Sequence, residues 1–111
     1  MKYFIFENQR NGTCYHEFYQ GKWDKHTFWK SDSLLLHDDI LFSRKGFIEA
    51  ILEVIHNYDP FGETEISQDE WNKIGKIISH KDASSQALYK EADLWLKNVF
   101  MTYDCFTILG I

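Results

Sequence analysis

The sequence predicts one α+β domain over residues 1–111, with an antiparallel sheet of three to four strands and about three helices packed against it. Aromatic and β-branched segments flank an Asn-Gly pair at positions 11 and 12, which favours an N-terminal hairpin. Apolar residues recur at helical spacing through residues 46–57 and again after position 67. A chain of 111 residues fits a single domain with one modest core.

The expected hairpin joins residues 2–9 to residues 13–19 through the turn at Asn11 and Gly12. Residues 21–25 are expected to form a loop, and residues 27–36 a third strand. A two-residue turn would fix the register of the hairpin, in which the expected pairs are Tyr3 with Gln20, Ile5 with Phe18, Glu7 with His16 and Gln9 with Cys14.

The first long helix is expected within residues 46–57, where apolar side chains form a wide face. Helical structure is expected to begin earlier, near Asp38 and Asp39, because carboxylates suit a helix N-terminus. Pro60 is expected to end this segment, since the residue before a proline is pushed out of the helical region.

The next helix has an explicit start signal. Ser67 as N-cap and Glu70 three residues later form a capping box, while Ile66 and Trp71 occupy the two positions of a hydrophobic staple. This helix is expected to break at Lys81, and Asp82 to cap a longer helix that runs to about Met101.

The C-terminal residues 105–111 read Cys-Phe-Thr-Ile-Leu-Gly-Ile. They are too apolar for a frayed tail, so we expect a final strand or a buried extended segment.

Composition limits the classes of function. An apolar fraction of 44% and an aromatic fraction of 17% are too high for a disordered chain and leave aromatic side chains for the surface, where they favour partner binding. The net charge of −5 argues against a nucleic-acid binder, which normally carries a basic face. An acidic balance suits either solubility or a basic partner.

The expected compartment is the reducing cytosol. The two cysteines, Cys14 and Cys105, lie far apart and form neither a disulfide framework nor a metal knuckle. The apolar run near the N-terminus has only four residues before Glu7, which is too short for a signal peptide or a membrane span.

No metal or cofactor site is expected. Residues 59–70 superficially imitate a calcium loop, but Phe61 and Thr64 stand where a ligand oxygen and a glycine are required. Cys14 and His16 could lie on one strand face, with His37 or Cys105 nearby, although His16 has a simpler expected role as a cross-strand partner of Glu7.

Catalytic residues are likewise not expected. His37, Asp38 and Asp39 form the tightest acid–base cluster, but neighbouring residues at the start of an element point in different directions. The glycines are scattered, and no phosphate-binding loop is present in the sequence.

Partner binding is the better-supported interpretation. Aromatic anchors that are buried in the complex and ringed by charge are typical of protein interfaces. The alternative is an acidic face that serves only solubility. The candidate acids are Asp38, Asp39, Asp59, Glu63, Glu65 and Asp69, and the candidate aromatic anchors are Trp23, Phe61 and Trp29.

The stretch Tyr-Asp-Pro-Phe-Gly-Glu-Thr-Glu-Ile-Ser-Gln-Asp-Glu-Trp at residues 58–71, with the closing residues 105–111, resembles small bacterial immunity proteins. These are encoded beside polymorphic toxins, including those of contact-dependent growth inhibition. Together with the preceding helix, the resemblance covers roughly half of the chain. Much of its motif is helix-start chemistry, so it points to a fold more than to a function.

The resemblance implies a cytosolic protein that binds and neutralises a cognate toxin, commonly a nuclease, without catalytic residues or a cofactor of its own. An acidic surface complementary to a basic toxin would be the mechanism. The runner-up is a small adaptor or regulatory domain that binds another host protein, and an enzyme comes third. The sequence leaves open which toxin is bound. It also leaves open the oligomeric state of this protein.

Overall fold

The computed structural model describes residues 1–110, which form a five-stranded antiparallel sheet with helices packed on one face. The expectation of an α+β domain with an antiparallel sheet is confirmed. The strand order is β1-β3-β2-β5-β4. The strands are β1 (Phe4–Ile5), β2 (Tyr15–Gln20), β3 (Leu34–His37), β4 (Glu63–Ser67) and β5 (Cys105–Leu109).

The described residues contain four α-helices rather than about three, and five strands rather than three to four. The additional helix arises because the segment after β3 is divided in two at Arg44. The helices are α1 (Asp38–Ser43), α2 (Lys45–Val54), α3 (Gln68–Ile78) and α4 (Ala83–Val99), and a short 3₁₀ helix occupies Glu7–Gln9.

The predicted N-terminal hairpin is wrong. β1 and β2 do not pair with each other, because β3 lies between them and pairs with both. Gly12 does take a left-handed conformation with φ of 88°, but it follows a 3₁₀ turn and leads the chain across β3. A continuous Leu-Leu-Leu run can be buried on both faces only at an interior position of the sheet, so it takes the place between them.

The third strand is shorter than predicted. Of residues 27–36, only those from Leu34 onward join the sheet. Trp29 has a φ of 59°, a left-handed conformation that cannot continue a strand. Residues 21–33 instead form an irregular stretch, here called the covering segment.

The acid-rich stretch between α2 and α3 is partly a strand, β4. Thr64 and Ile66 are buried whereas Glu63 and Glu65 are exposed, which is the alternation of an edge strand with one buried face. This alternation is present in the sequence, but the many acids in the same stretch obscure it.

The expected end of the helix at Pro60 is also wrong, because α2 already ends at Val54.

The helix-start signals are confirmed. The Ser67 hydroxyl accepts a hydrogen bond from the Glu70 N–H at 3.1 Å, and the Glu70 carboxylate accepts one from the Ser67 N–H at 2.9 Å. Ile66 and Trp71 are both buried in the same cluster. Asp82 caps α4 by accepting from the Ser85 N–H, and α1 begins at Asp38.

The expected C-terminal strand is confirmed as β5, which is an interior strand paired with β2 and β4. Phe106, Ile108 and Leu109 are buried. Residues 105–110 therefore belong to the folded domain, and Ile111 lies outside the described residues.

The main core lies between the sheet and the helices. Phe18 of β2 contacts Phe4 edge-on with ring centroids 5.1 Å apart, and it stacks on Phe106 at 5.7 Å. Trp71 closes the core from α3, with its indole N–H donating to Asp93 at 3.0 Å. These rings pack among buried leucine and isoleucine side chains, and burial of this apolar surface stabilises the fold.

The opposite face of the sheet is buried by the covering segment. The Thr107 hydroxyl donates to the Gly21 carbonyl at 2.8 Å, and the Lys30 ammonium lies 4.8 Å from the centre of the Tyr19 ring. Both faces of β2 are consequently buried. No helix within residues 1–110 is long and apolar enough to cross a membrane.

Candidate functional site

An open groove lies where the covering segment meets the turn before β4. It has a volume of about 520 Å³. Its lining residues are Trp23, Phe28, Phe61, Gly62, Glu63, Leu109 and Gly110. This aromatic groove brings together three of the residues that the sequence nominated for partner binding: Trp23, Phe61 and Glu63.

Local hydrogen bonds shape the first wall of the groove. The Asp24 carboxylate accepts from the backbone N–H groups of His26 at 3.0 Å and Thr27 at 2.7 Å, as well as from the Thr27 hydroxyl. The Thr27 hydroxyl and these two N–H groups lower the pKa of Asp24 to about 2. The carboxylate therefore holds the turn closed across the neutral pH range.

A buried carboxylate anchors the other end of the covering segment. Glu17 on β2 is 2% exposed, and it accepts from the N–H groups of Trp29 at 2.7 Å and Lys30 at 3.1 Å. The Ser33 hydroxyl donates a third hydrogen bond to it at 2.7 Å. A carboxylate whose oxygens accept three hydrogen bonds can be buried without an unsatisfied polar atom, so Glu17 ties this loop to the sheet.

The second wall is the turn before β4. The Phe61 N–H donates to the Asp59 carboxylate at 2.9 Å, and the Phe61 side chain is 70% exposed. Gly110 allows this turn to approach β5, because a Cβ there would lie 2.1 Å from the Pro60 carbonyl oxygen. The Gly110 N–H donates to the Gly62 carbonyl at 2.7 Å and closes the contact.

Exposed aromatics extend the site toward α1. Phe61 stacks on Phe42 with ring centroids 6.4 Å apart and an interplanar angle of 24°, and Phe42 is itself 40% exposed. The two rings form a contiguous apolar surface beside the exposed Asp59. Exposed apolar surface rimmed by charge is a mark of an interaction site.

Glu63 has a partner within the chain. The Lys25 ammonium lies 2.5 Å from the Glu63 carboxylate and 5.8 Å from the centre of the Trp23 ring. Both charged side chains are largely exposed, so the pair adds little to stability. Glu63 is thus partly neutralised in the free protein.

The remaining candidate acids lie outside the aromatic groove. Glu65 lies in a separate hollow with Tyr103, where it accepts a hydrogen bond from the Cys105 thiol at 3.2 Å. Burial and the Glu65 carboxylate raise the pKa of the Cys105 thiol to about 12, so it stays protonated at neutral pH. Asp69 is exposed in the first turn of α3, beyond the far end of β4.

Asp38 is committed to an internal contact. Its carboxylate lies 2.7 Å from Nε2 of His16, which is fully buried, and this corrects the expected pairing of His16 with Glu7. Because β1 does not pair with β2, Glu7 lies in the 3₁₀ helix and bonds Arg10 instead. Asp39 remains exposed at the start of α1.

The His16 environment is unusual for a titratable group. Its Nδ1 atom is buried without a hydrogen-bond partner. Desolvation lowers the pKa of His16, against the opposing effect of its hydrogen bond to Asp38. The neutral imidazole therefore donates from Nε2 to Asp38 and keeps Nδ1 unprotonated.

Among residues 1–110, no three His, Cys, Asp or Glu side chains lie close enough together to bind a metal ion. His37 bonds the Asp39 N–H through Nδ1 and contacts the Tyr15 ring edge-on. Cys14 is exposed and free.

Sequence reasoning missed three members of the site: Lys25, Phe28 and Phe42. Their positions depend on loop conformation and on long-range packing, neither of which has a local pattern. One available signal was the occurrence of three aromatics, Trp23, Phe28 and Trp29, in a stretch with poor strand periodicity. The third candidate anchor, Trp29, is half-buried, with the Arg10 guanidinium 4.3 Å above its ring.

No protein family, curated protein or solved structure matches this chain.

Proposed function

We propose that this protein is an immunity protein, which binds a cognate basic toxin, a nuclease, in the cytosol and neutralises it. The observation that carries the proposal is the exposed Phe61–Phe42 aromatic pair bordered by acids. Aromatic side chains in that setting act as anchors, and the surrounding charges select the partner.

Charge supports a basic partner. The chain has a net charge of −5, and the exposed acids Asp59, Glu63 and Glu65 lie in or beside β4. Such a surface attracts a positively charged protein and accelerates encounter more than it deepens affinity. A nuclease presents positive charge where it binds the phosphate backbone, so the acidic surface would compete for that region.

The proposed role requires no catalysis and no cofactor. Neutralisation by binding depends on shape, apolar contact and charge. The resemblance of residues 58–71 to bacterial immunity proteins supports the same assignment.

The decisive test uses the product of the adjacent upstream reading frame. Its C-terminal domain should bind this protein in a stoichiometric complex and lose its nuclease activity in that complex. The charge-reversed variant E63K/E65K should associate about tenfold more slowly at low salt, with a weaker salt dependence, because rim charges act on encounter.

The matched control is E49K/E53K, which makes the same change in net charge on exposed residues of α2. It should retain a faster association than E63K/E65K. Melting temperatures of all three proteins check that the fold is intact. Equal slowing by both variants would show that only net charge matters, and a nuclease that stays fully active with excess protein would refute the immunity function.

A second candidate is an adaptor domain that receives an extended strand from another protein. The Gly110 N–H bonds the Gly62 carbonyl and the Gln68 N–H bonds the Asp104 carbonyl, so alternate residues of β4 pair with β5. The N–H and C=O groups of Glu63 and Glu65 consequently face away from β5. The opposite edge differs, since Glu91 accepts from the N–H groups of Tyr3 and Phe4.

An open edge of this kind favours β-augmentation. The two candidates predict different exchange behaviour on binding. Strand addition would slow hydrogen exchange at the backbone amides of Glu63 and Glu65. Docking of a toxin on the aromatic rings would bury side chains but would leave the exchange of these two amides unchanged.

A further inference from the structure

We propose that the aromatic groove is a receptor for a single cationic side chain, a lysine or arginine of the partner, which takes the place of the Lys25 ammonium. The proposal rests on the proposed function only for the identity of the partner. The groove itself is testable on the isolated protein.

The walls of the groove are fixed aromatic faces. Trp23 and Phe28 have ring centroids 5.1 Å apart with an angle of 56° between their planes, so they form two sides of a corner. The Trp23 indole N–H donates to the Thr27 carbonyl at 2.7 Å, which fixes the ring and leaves its faces available. Phe61 lines the same groove from the β4 side.

The chain supplies its own example of the ligand. The ammonium of Lys25 lies within cation–π distance of Trp23 while it contacts Glu63. An indole face together with a carboxylate is the combination that recognises an organic cation. The site therefore accepts a positive charge in this position.

Lys25 is a replaceable occupant. Its ion pair is exposed, with 62% of the Lys25 side chain accessible, and such pairs contribute little. A cationic side chain from a partner can enter from solvent and release Lys25 without disturbing the core.

The groove is organised before any ligand arrives. Asp24 fixes the turn that carries Trp23 and Phe28, and Glu17 anchors the following residues to β2. A preformed site loses little conformational entropy on binding, which favours a single anchored side chain. An uncharged apolar ligand would gain the aromatic contacts but would leave Glu63 paired with Lys25.

The experiment titrates the isolated protein with Nα-acetyl-lysine amide and Nα-acetyl-arginine amide, which both keep their side-chain charge. The Trp23 indole N–H is followed by NMR. The uncharged analogue N-acetyl-norleucine amide is the ligand control. The Trp23 signal is assigned by its loss in W23F. We expect saturable shifts with both cations and much smaller shifts, which do not saturate, with norleucine at equal concentration.

Variants test the geometry. E63Q and F61A should each weaken cation binding by about threefold or more, because each removes one of the cation-recognising groups. L94A is the matched control, since Leu94 is as exposed as Phe61 but lies on α4. K25M should tighten binding about three- to tenfold by removing the competing ammonium.

Equal shifts with norleucine, or unchanged affinity in both E63Q and F61A, would overturn the proposal. Unchanged affinity in K25M would also overturn it, because displacement of Lys25 is part of it. These outcomes are independent of the toxin: the immunity function fails if the wild-type protein does not inhibit the nuclease, whatever the cation titration gives.

Discussion

Replacement of Glu17 by alanine should destabilise the protein by about 3–5 kcal/mol. The carboxylate is 2% exposed and accepts three hydrogen bonds, from the Trp29 and Lys30 N–H groups and the Ser33 hydroxyl. In E17A the buried Ser33 hydroxyl and the part-buried N–H groups of Trp29 and Lys30 lose their acceptor. An unsatisfied buried donor costs about 1–3 kcal/mol, so the three donors together give about 3 kcal/mol or more if the loop stays closed and water does not reach the two N–H groups.

The free energy of unfolding, measured by urea denaturation at neutral pH, checks this magnitude. E17Q should lose less, because the amide keeps one oxygen that can accept. E53A is the control, since Glu53 is an exposed acid on α2 and its replacement should change stability by about 0.5 kcal/mol or less. A small domain is stabilised by only about 5–15 kcal/mol, so the E17A loss is large.

A second readout separates local opening from global unfolding. If the covering segment detaches while the core stays folded, the amide hydrogens of residues 29–33 should exchange faster in E17A than those of β5. A loss below 1 kcal/mol without faster exchange in this segment would refute the view that Glu17 anchors it.

Three further predictions concern other parts of the fold. S67A should lower the free energy of unfolding by about 1 kcal/mol through loss of the α3 cap, whereas S31A at an exposed turn should not; a change of a few tenths would mean that the cap is unimportant. Deletion of residues 105–111 should abolish cooperative thermal unfolding, because it removes an interior strand whose buried Phe106, Ile108 and Leu109 each contribute about 1.5–3 kcal/mol; an unchanged melting temperature would contradict this. The free energy of unfolding should decrease in acid, because burial lowers the pKa of His16 below its value in the unfolded chain. As the pH falls, the unfolded chain therefore binds a proton at this histidine before the folded protein does. The stability that neutral His16 contributes is complete above about pH 6.5 and is lost as the pH falls toward the folded-state pKa. The test compares the free energy of unfolding of the wild type and H16Q from pH 7.5 to 5.5, and an equal slope in the two proteins would exclude His16 as the cause.

The helix starts were predictable because their chemistry is local. Ser67 and Glu70 satisfy each other's backbone N–H groups within one turn, and Asp82 needs only the N–H of Ser85. No distant residue is required for either contact. The buried β5 was predictable for a different reason, since its apolar composition does not permit exposure to water.

The strand pairing was not predictable from the local pattern. Asn11 and Gly12 favour a tight turn in isolation, and Gly12 does adopt a positive φ. The hairpin loses to the alternative in which Leu34, Leu35 and Leu36 are buried on both faces between β1 and β2. Burial of three leucines outweighs a turn preference, because each buried side chain contributes about 1.5–3 kcal/mol.

Some residues of the candidate site could be identified from the sequence, and others only from the structure. Phe61, Glu63 and Trp23 could be nominated from residue type alone, since exposed aromatics and acids near turns suit binding. Lys25, Phe28 and Phe42 enter the site through contacts between segments that are distant in sequence, such as the stacking of Phe42 on Phe61.

By itself, the sequence determined the α+β class, the acidic character, the helix caps and the burial of the C-terminal strand. These properties depend on composition and on interactions within a few residues. Only the tertiary structure decided the order of the strands, the burial of His16 against Asp38 and the aromatic groove. Each of these depends on which of several locally acceptable pairings buries the most apolar surface while leaving the fewest polar groups unpaired.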